Sequence, residues 1–285
     1  MTLFTNIKSF DKSFLLKLWL SLILYQLSVC PVSAQKDTMD IKDYILIINT
    51  YTESFPWSNR LISTATNFVK DDPKLAVYTE HMNMIMIDND SILDQFKDSL
   101  FDRYGSHRPR MLLLLGNSSL ILKDDLRKMW GDIPMVLCAG KDYTGPEHYY
   151  LTKQPIPLSE RVPLAELSQS CNLTYLYANL YIHENVEMMF RTLPRMKRFI
   201  YVGDERFVNQ VNSQEIQEIL RTKHPDVHYT FLSSRDIKKT NQLIDSLNFV
   251  DPRTTGILFS SWFHKRQFAG NMMLTMILPE IVSTV

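Results

Sequence analysis

The chain has 285 residues, with 31 Lys and Arg against 31 Asp and Glu, and 45% of its side chains are apolar. That composition supplies a sizeable core and sets aside both a disordered chain and a nucleic-acid binder, which would carry a basic surplus or patch. Three cysteines make no disulfide framework. Among only eight glycines there is no Gly-x-Gly-x-x-Gly and no phosphate loop ending in Gly-Lys-Ser/Thr.

At the start, Lys8, Lys12 and Lys17 precede or interrupt an apolar run over 18–34, and Val32-Ser33-Ala34 places small residues before Gln35. This is the pattern of a secretory signal over 1–34. The alternative is an uncleaved anchor over 14–34, long enough for a span of about 20 residues if Lys17 snorkels. Both readings place the remainder in a periplasmic or extracytoplasmic setting. With residues 1–34 set aside, 28 basic and 30 acidic residues remain. Cys138 and Cys171 also remain, and they read either as a pair or as two free thiols.

Strand-length apolar runs then alternate with stretches at helical spacing, which predicts an α/β fold. Residues 44–49 predict a strand, and Trp57, Leu61, Ile62, Ala65, Phe68 and Val69 fall on one helical face. A second strand is expected over 75–82, followed by a helix carrying Ile92, Leu93, Phe96, Leu100, Phe101 and Tyr104. Residues 110–116 are apolar throughout, as a central parallel strand covered on both faces should be. A helix over 119–130 and a strand over 133–138 follow. From 141 to 172 the periodicity fades among four prolines, which suggests a boundary, a lid or a crossing connection. Extended chain over 173–181 opens a second half, with a helix over 183–193 and a strand over 198–203. Beyond it come a short helix capped by Ser213, strands over 227–232 and 255–260 with a helix between them, and a last helix over 266–282. The expected organisation is a first lobe over 35–172 and a second over 173–285.

Tyr44-Ile-Leu-Ile-Ile-Asn-Thr-Tyr51, Phe55-Pro-Trp57, Asn172-Leu-Thr-Tyr-Leu-Tyr177 and Met196-Lys-Arg-Phe-Ile-Tyr-Val-Gly-Asp204 stand in this order. Together they resemble the ABC-transporter substrate-binding-protein-like family, whose members occur as free solute receptors and as extracytoplasmic sensor regions of membrane histidine kinases. The resemblance implies two Rossmann-like lobes with parallel sheets, as in type I periplasmic binding proteins. Phe-Pro-Trp is closer to the sensor versions, so signalling is the first expectation and a free transporter receptor the alternative. The family's second lobe continues past the helix over 266–282, so the lobe is expected to be incomplete and the chain a truncated product or a fragment. The partners implied are an unknown small molecule, a membrane kinase region or an ABC permease, and a second copy of the chain in a homodimer. No cofactor is expected.

The loops that follow the strands carry the expected binding residues, since ligands of open α/β sheets sit at the carboxyl ends of strands. In the first half these are Tyr51, Thr52, Phe55, Trp57 and Ser58, then Gly116, Asn117 and Ser118, then Gly140. The resemblance adds Tyr177 and Asn179 at the crossing, and Asp204, Ser261 and Trp262 from the second lobe. Each has a structural alternative: Phe55-Pro-Trp57 as a staple of loop to helix, Asn117-Ser-Ser as a helix cap, and Asp204 as the end of its strand. Catalysis has little support. There is no Gly-x-Ser-x-Gly elbow, His183-Glu184 lacks a second zinc-spaced histidine, and the other histidines are scattered.

Overall fold

The computed structural model describes residues 43–53 and 55–263. The expected leader and the expected helix over 266–282 lie outside these residues. Among the described residues, ten strands form two parallel sheets and one short antiparallel ribbon. In the first sheet β1 (Tyr44–Asn49) lies between β2 (Ala76–His81) and β3 (Met111–Leu115), and β4 (Met135–Ala139) and β7 (Leu173–Tyr177) follow β3 outward. The second sheet places β8 (Arg198–Gly203) between β10 (Thr255–Phe259) and β9 (His228–Ser233). The ribbon is β5 (Tyr143–Thr144) against β6 (Val162–Pro163).

The central strands are the most apolar because helices cover both of their faces. Leu46, Ile47, Ile48, Leu112, Leu114, Leu115 and Leu137 are fully buried, and each contributes roughly 1.5–3 kcal/mol by leaving water. In β8 the two faces separate by the period of two. Ile200 and Val202 pack with Leu243, Leu247 and Trp262, whereas Phe199 and Tyr201 pack with Val186, Ile216 and Leu220. No helix among the described residues is long and apolar enough to cross a membrane.

Four local expectations are corrected. The strand over 173–177 pairs with β4, Met135 opposite Leu173 and Ala139 opposite Tyr177, so it closes the first sheet instead of opening the second half at 173. The helix after β8 runs Phe207–Lys223. Ser213 therefore sits inside it rather than capping it, with its hydroxyl 2.8 Å from the Tyr229 hydroxyl. In the helix Pro56–Val69 the buried stripe centres on Ser58 and Val69, which leaves Trp57 and Phe68 at its margin, Phe68 89% exposed. Finally, the faded stretch after Gly140 is not structureless. It holds the ribbon and two helices, Glu147–Thr152 and Leu164–Ser170, too short to show a period.

Cys138 and Cys171 are both free thiols. Cys138 lies opposite Leu176 in the β4–β7 register, so Cys171 stands five positions away along the strand direction, or about 17 Å at strand rise. A disulfide needs Cα atoms within about 7 Å. Non-reducing peptide mapping is expected to return the two cysteines on separate peptides; a linked pair would contradict this register.

Candidate functional site

In both sheets the first strand lies between the next two, so the chain leaves it in opposite directions and the loops at its carboxyl end part. Such a switch point opens a crevice in a parallel sheet. The described residues place the two crevices together. Between them is a cavity of about 300 Å³, at the lower end of the size usual for small-molecule sites. Its walls come from the loops after β1, β2, β3 and β4 on one side and after β8 and β10 on the other, with Tyr150 and Lys153 from the stretch following the ribbon's first strand.

The loop after β1 is shaped by Asn49, whose fully buried side chain donates to Ser58 Oγ at 3.2 Å, lies 2.9 Å from His81 Nδ1, and accepts from the Tyr51 amide at 3.2 Å. Ser58 Oγ in turn donates to the Phe55 carbonyl. Pro56 supplies a first helical residue with no N–H to satisfy. The rings of Tyr51 and Phe55 stack at 4.4 Å, and Trp57 meets Tyr51 edge-on at 5.6 Å. Tyr51 and Phe55 thus line the cavity while Trp57 braces them from outside it.

After β3, Gly116 adopts φ 94° and donates to the Cys138 carbonyl at 2.9 Å. A Cβ there would collide with the Thr50 hydroxyl, which is held by the Leu115 carbonyl at 2.8 Å. Gly116→Ala is therefore expected to lower stability by about 1–3 kcal/mol through backbone strain and this contact, read as a fall in the urea midpoint. Asn117 is buried and its amide is fully used. Nδ2 donates to the carbonyls of Lys141 and Tyr143, both at 2.8 Å, and Oδ1 accepts from the amides of Gly140 and Lys141 at 2.9 and 3.2 Å. An amide has two donors and two acceptor positions, so Asn117 fixes the neighbouring loop and has nothing left for a ligand.

The facing wall is organised by Asp204 and Arg206. The Arg206 guanidinium donates through Nε and Nη2 to the two Asp204 oxygens at 2.8 and 2.7 Å, and its Cζ lies over the Phe55 and Tyr51 rings, 4.8 and 5.8 Å from their centroids. Asn209 also donates to Asp204 and to Ser261 Oγ, and accepts from Tyr201 and Ser260. Asp204 is 0% exposed. Burial pushes its carboxyl upward, but the adjacent Arg206 charge and the hydrogen bonds outweigh it and hold the pKa below the usual aspartate value. Other contacts join the two walls. Lys141 pairs with Glu215 at 2.9 Å, the Tyr150 and Phe207 rings lie 4.6 Å apart, and Arg235 donates to the Thr152 carbonyl at 3.4 Å.

Nine of the residues expected from the sequence line this cavity: Tyr51, Thr52, Phe55, Gly116, Asn117, Ser118, Gly140, Ser261 and Trp262. Five do not. Trp57 and Ser58 stand behind the first loop, and Asp204 is buried behind Arg206. Tyr177, 43% exposed, ends the edge strand of the first sheet, and exposed Asn179 accepts from the Tyr181 amide. Lys141, next to Gly140 in the loop after β4, also lines the cavity, and sequence reasoning passed over Asn83, Met84 and Ile85 after β2, and also Tyr150, Lys153, Arg206, Phe207 and Val208. Lys153 is buried with its ammonium on the carbonyls of Met84, Ile87 and Tyr150. No group of three or more metal-ligating side chains occurs among the described residues.

Fold and cavity together define a parallel α/β protein with two sheets whose strand tips share one cavity. No family model matches the chain, and no curated protein matches it. Solved structures do. A ligand-free, open substrate-binding protein with adhesive properties from Clostridium difficile aligns at 13% identity and TM-score 0.39, covering 73% of this chain and 62% of that one. A carbohydrate-transporter solute-binding protein from Agrobacterium radiobacter, in complex with D-arabinose, aligns at 11% identity and TM-score 0.43, covering 78% of this chain and 68% of that one. Full-length LpoA from Haemophilus influenzae aligns at 11% identity and TM-score 0.31, covering 87% of this chain and 40% of that one. The chain thus spans about three fifths of the Clostridium difficile protein's length.

Proposed function

We propose that this chain is an extracytoplasmic binding module for a small solute. The observation that carries the reading is the cavity itself, enclosed by loops at the carboxyl ends of strands from both sheets. A molecule held there touches both walls at once, so it stabilises the closed arrangement by its differential contacts and shifts the population toward it. Solute reception takes precedence over the kinase-sensor expectation, which has no support among the described residues. The module is read as a binder and not an enzyme because its polar groups serve mainly to hold loops and to join the walls.

A thermal-shift screen of small metabolites on the full chain tests this. At a ligand concentration about a hundredfold above Kd, binding to the folded state alone adds about 2.7 kcal/mol, so a true hit produces a shift that grows with concentration. The shift is expected to shrink in Phe55→Ala, whose ring forms part of the wall, with the unliganded fold retained. A hit whose shift is the same in the variant binds elsewhere.

A further inference from the structure

The cavity wall carries a chemical bias that narrows the solute class, an inference that rests on the binding reading above. Its basic lining residues are Lys141, Lys153 and Arg206, and no Asp or Glu among the described residues lines it. The carboxylates that pair with two of these cations stand outside the wall. Asp204 is buried behind Arg206, and Glu215, its side chain 41% exposed, reaches Lys141 from the helix Phe207–Lys223. Lys153 spends its ammonium on three backbone carbonyls, so the cations a ligand in the cavity meets are Lys141 and Arg206, ahead of their counter-ions. An ammonium group placed there faces like charge with no carboxylate in the wall, whereas a carboxylate gains charge-assisted hydrogen bonds.

The remaining surface sets the shape. Tyr51 and Phe55 form a stacked pair on one wall with the Arg206 plane over Phe55, while Tyr150 and Phe207 lie together in the same lining. Flat faces of this kind favour a flat partner. Part of the polar lining is already engaged: the Asn117 amide is saturated, Thr50 Oγ1 donates to the Leu115 carbonyl, and Ser261 Oγ accepts from Asn209, while Asn83 Oδ1 is a buried acceptor still open to a donor. A cavity of about 300 Å³ holds one or two rings. We propose that the solute is a small aromatic monocarboxylate without an ammonium group.

Isothermal titration of the full chain tests this with phenylacetate and indole-3-acetate, set against phenylethanol, phenylalanine, tryptophan and D-arabinose. At least one of the two acids is expected to bind at least about tenfold more tightly than phenylethanol and the amino acids, a ratio that corresponds to roughly 1.4 kcal/mol. Lys141→Gln, a change at a pair whose other member is part-exposed, is expected to weaken the acid at least about fivefold while leaving phenylethanol unchanged. Tighter binding of phenylalanine, tryptophan or D-arabinose overturns the proposal and leaves the binding reading standing. So does failure of both acids while another metabolite from the thermal-shift screen binds with dependence on Phe55. If the acids fail and no metabolite in that screen binds, both inferences fall.

Discussion

Asp204→Ala is expected to destabilise the protein by about 3–5 kcal/mol, the usual cost of removing one member of a buried ion pair. The reason lies with what is left behind. Arg206 keeps its charge in a setting where its side chain is only 17% exposed, and Asn209 loses an acceptor for an amide that already braces Ser261. Urea denaturation reads the effect as a fall in midpoint with an unchanged slope. The same pair sets an acid limit. Because the folded-state pKa of Asp204 lies below the ordinary 3.8, the unfolded chain takes up this proton first as pH falls. The contribution is complete above the ordinary aspartate range and is lost as pH drops through the lower folded value. In Asp204→Asn this part of the acid dependence is expected to vanish. A wild-type acid limb retained unchanged in the variant would assign the dependence to other carboxylates.

The second large effect is expected at Asn117. Asn117→Ala leaves the amides of Gly140 and Lys141 and the carbonyls of Lys141 and Tyr143 without their partner, at a position that is itself buried. Partial rescue by water still leaves a loss of about 2–4 kcal/mol, from a net value near 1 kcal/mol per hydrogen bond and more for any group left orphaned. Asn117→Asp is expected to fare no better, since a carboxylate would face the two carbonyls that now receive an N–H. This separates a scaffold from a ligand contact. A residue that served only the solute would weaken binding and leave the urea midpoint in place.

The strands were legible because each carries its signal within a few residues: the unbroken leucines of β3 mark a strand covered on both sides, and 198–203 coincides with β8. The loops after β1, β3 and β4 followed from that order, and the loop after β10 from the family resemblance. What escaped was pairing over long distances. Nothing local to Leu173–Tyr177 tells which sheet it joins, and reading it into the second half put Tyr177 and Asn179 among the binding residues, whereas Tyr177 ends the first sheet's edge strand and neither lines the cavity. Arg206 escaped for a related reason. Its position two residues beyond Asp204 is visible, but its stacking on Phe55 joins loops about 150 positions apart, and no periodicity reports that. Asn117 was weighed as a ligand contact or as a helix cap. Its hydrogen bonds to 140–143 make it neither, a role set by partners that only the folded loops bring within reach.

The central claim, that one cavity shared by both sheets holds the solute, is tested most directly by titrating a metabolite hit into wild type, Phe55→Ala and Phe207→Ala by calorimetry. The two rings belong to opposite walls, and each removes an aromatic contact of about 1 kcal/mol or more together with its buried area. Each variant, still folded, is expected to bind at least about fivefold more weakly. Binding undiminished in both, or diminished in one with the other untouched, would contradict a solute clasped between the two sheets.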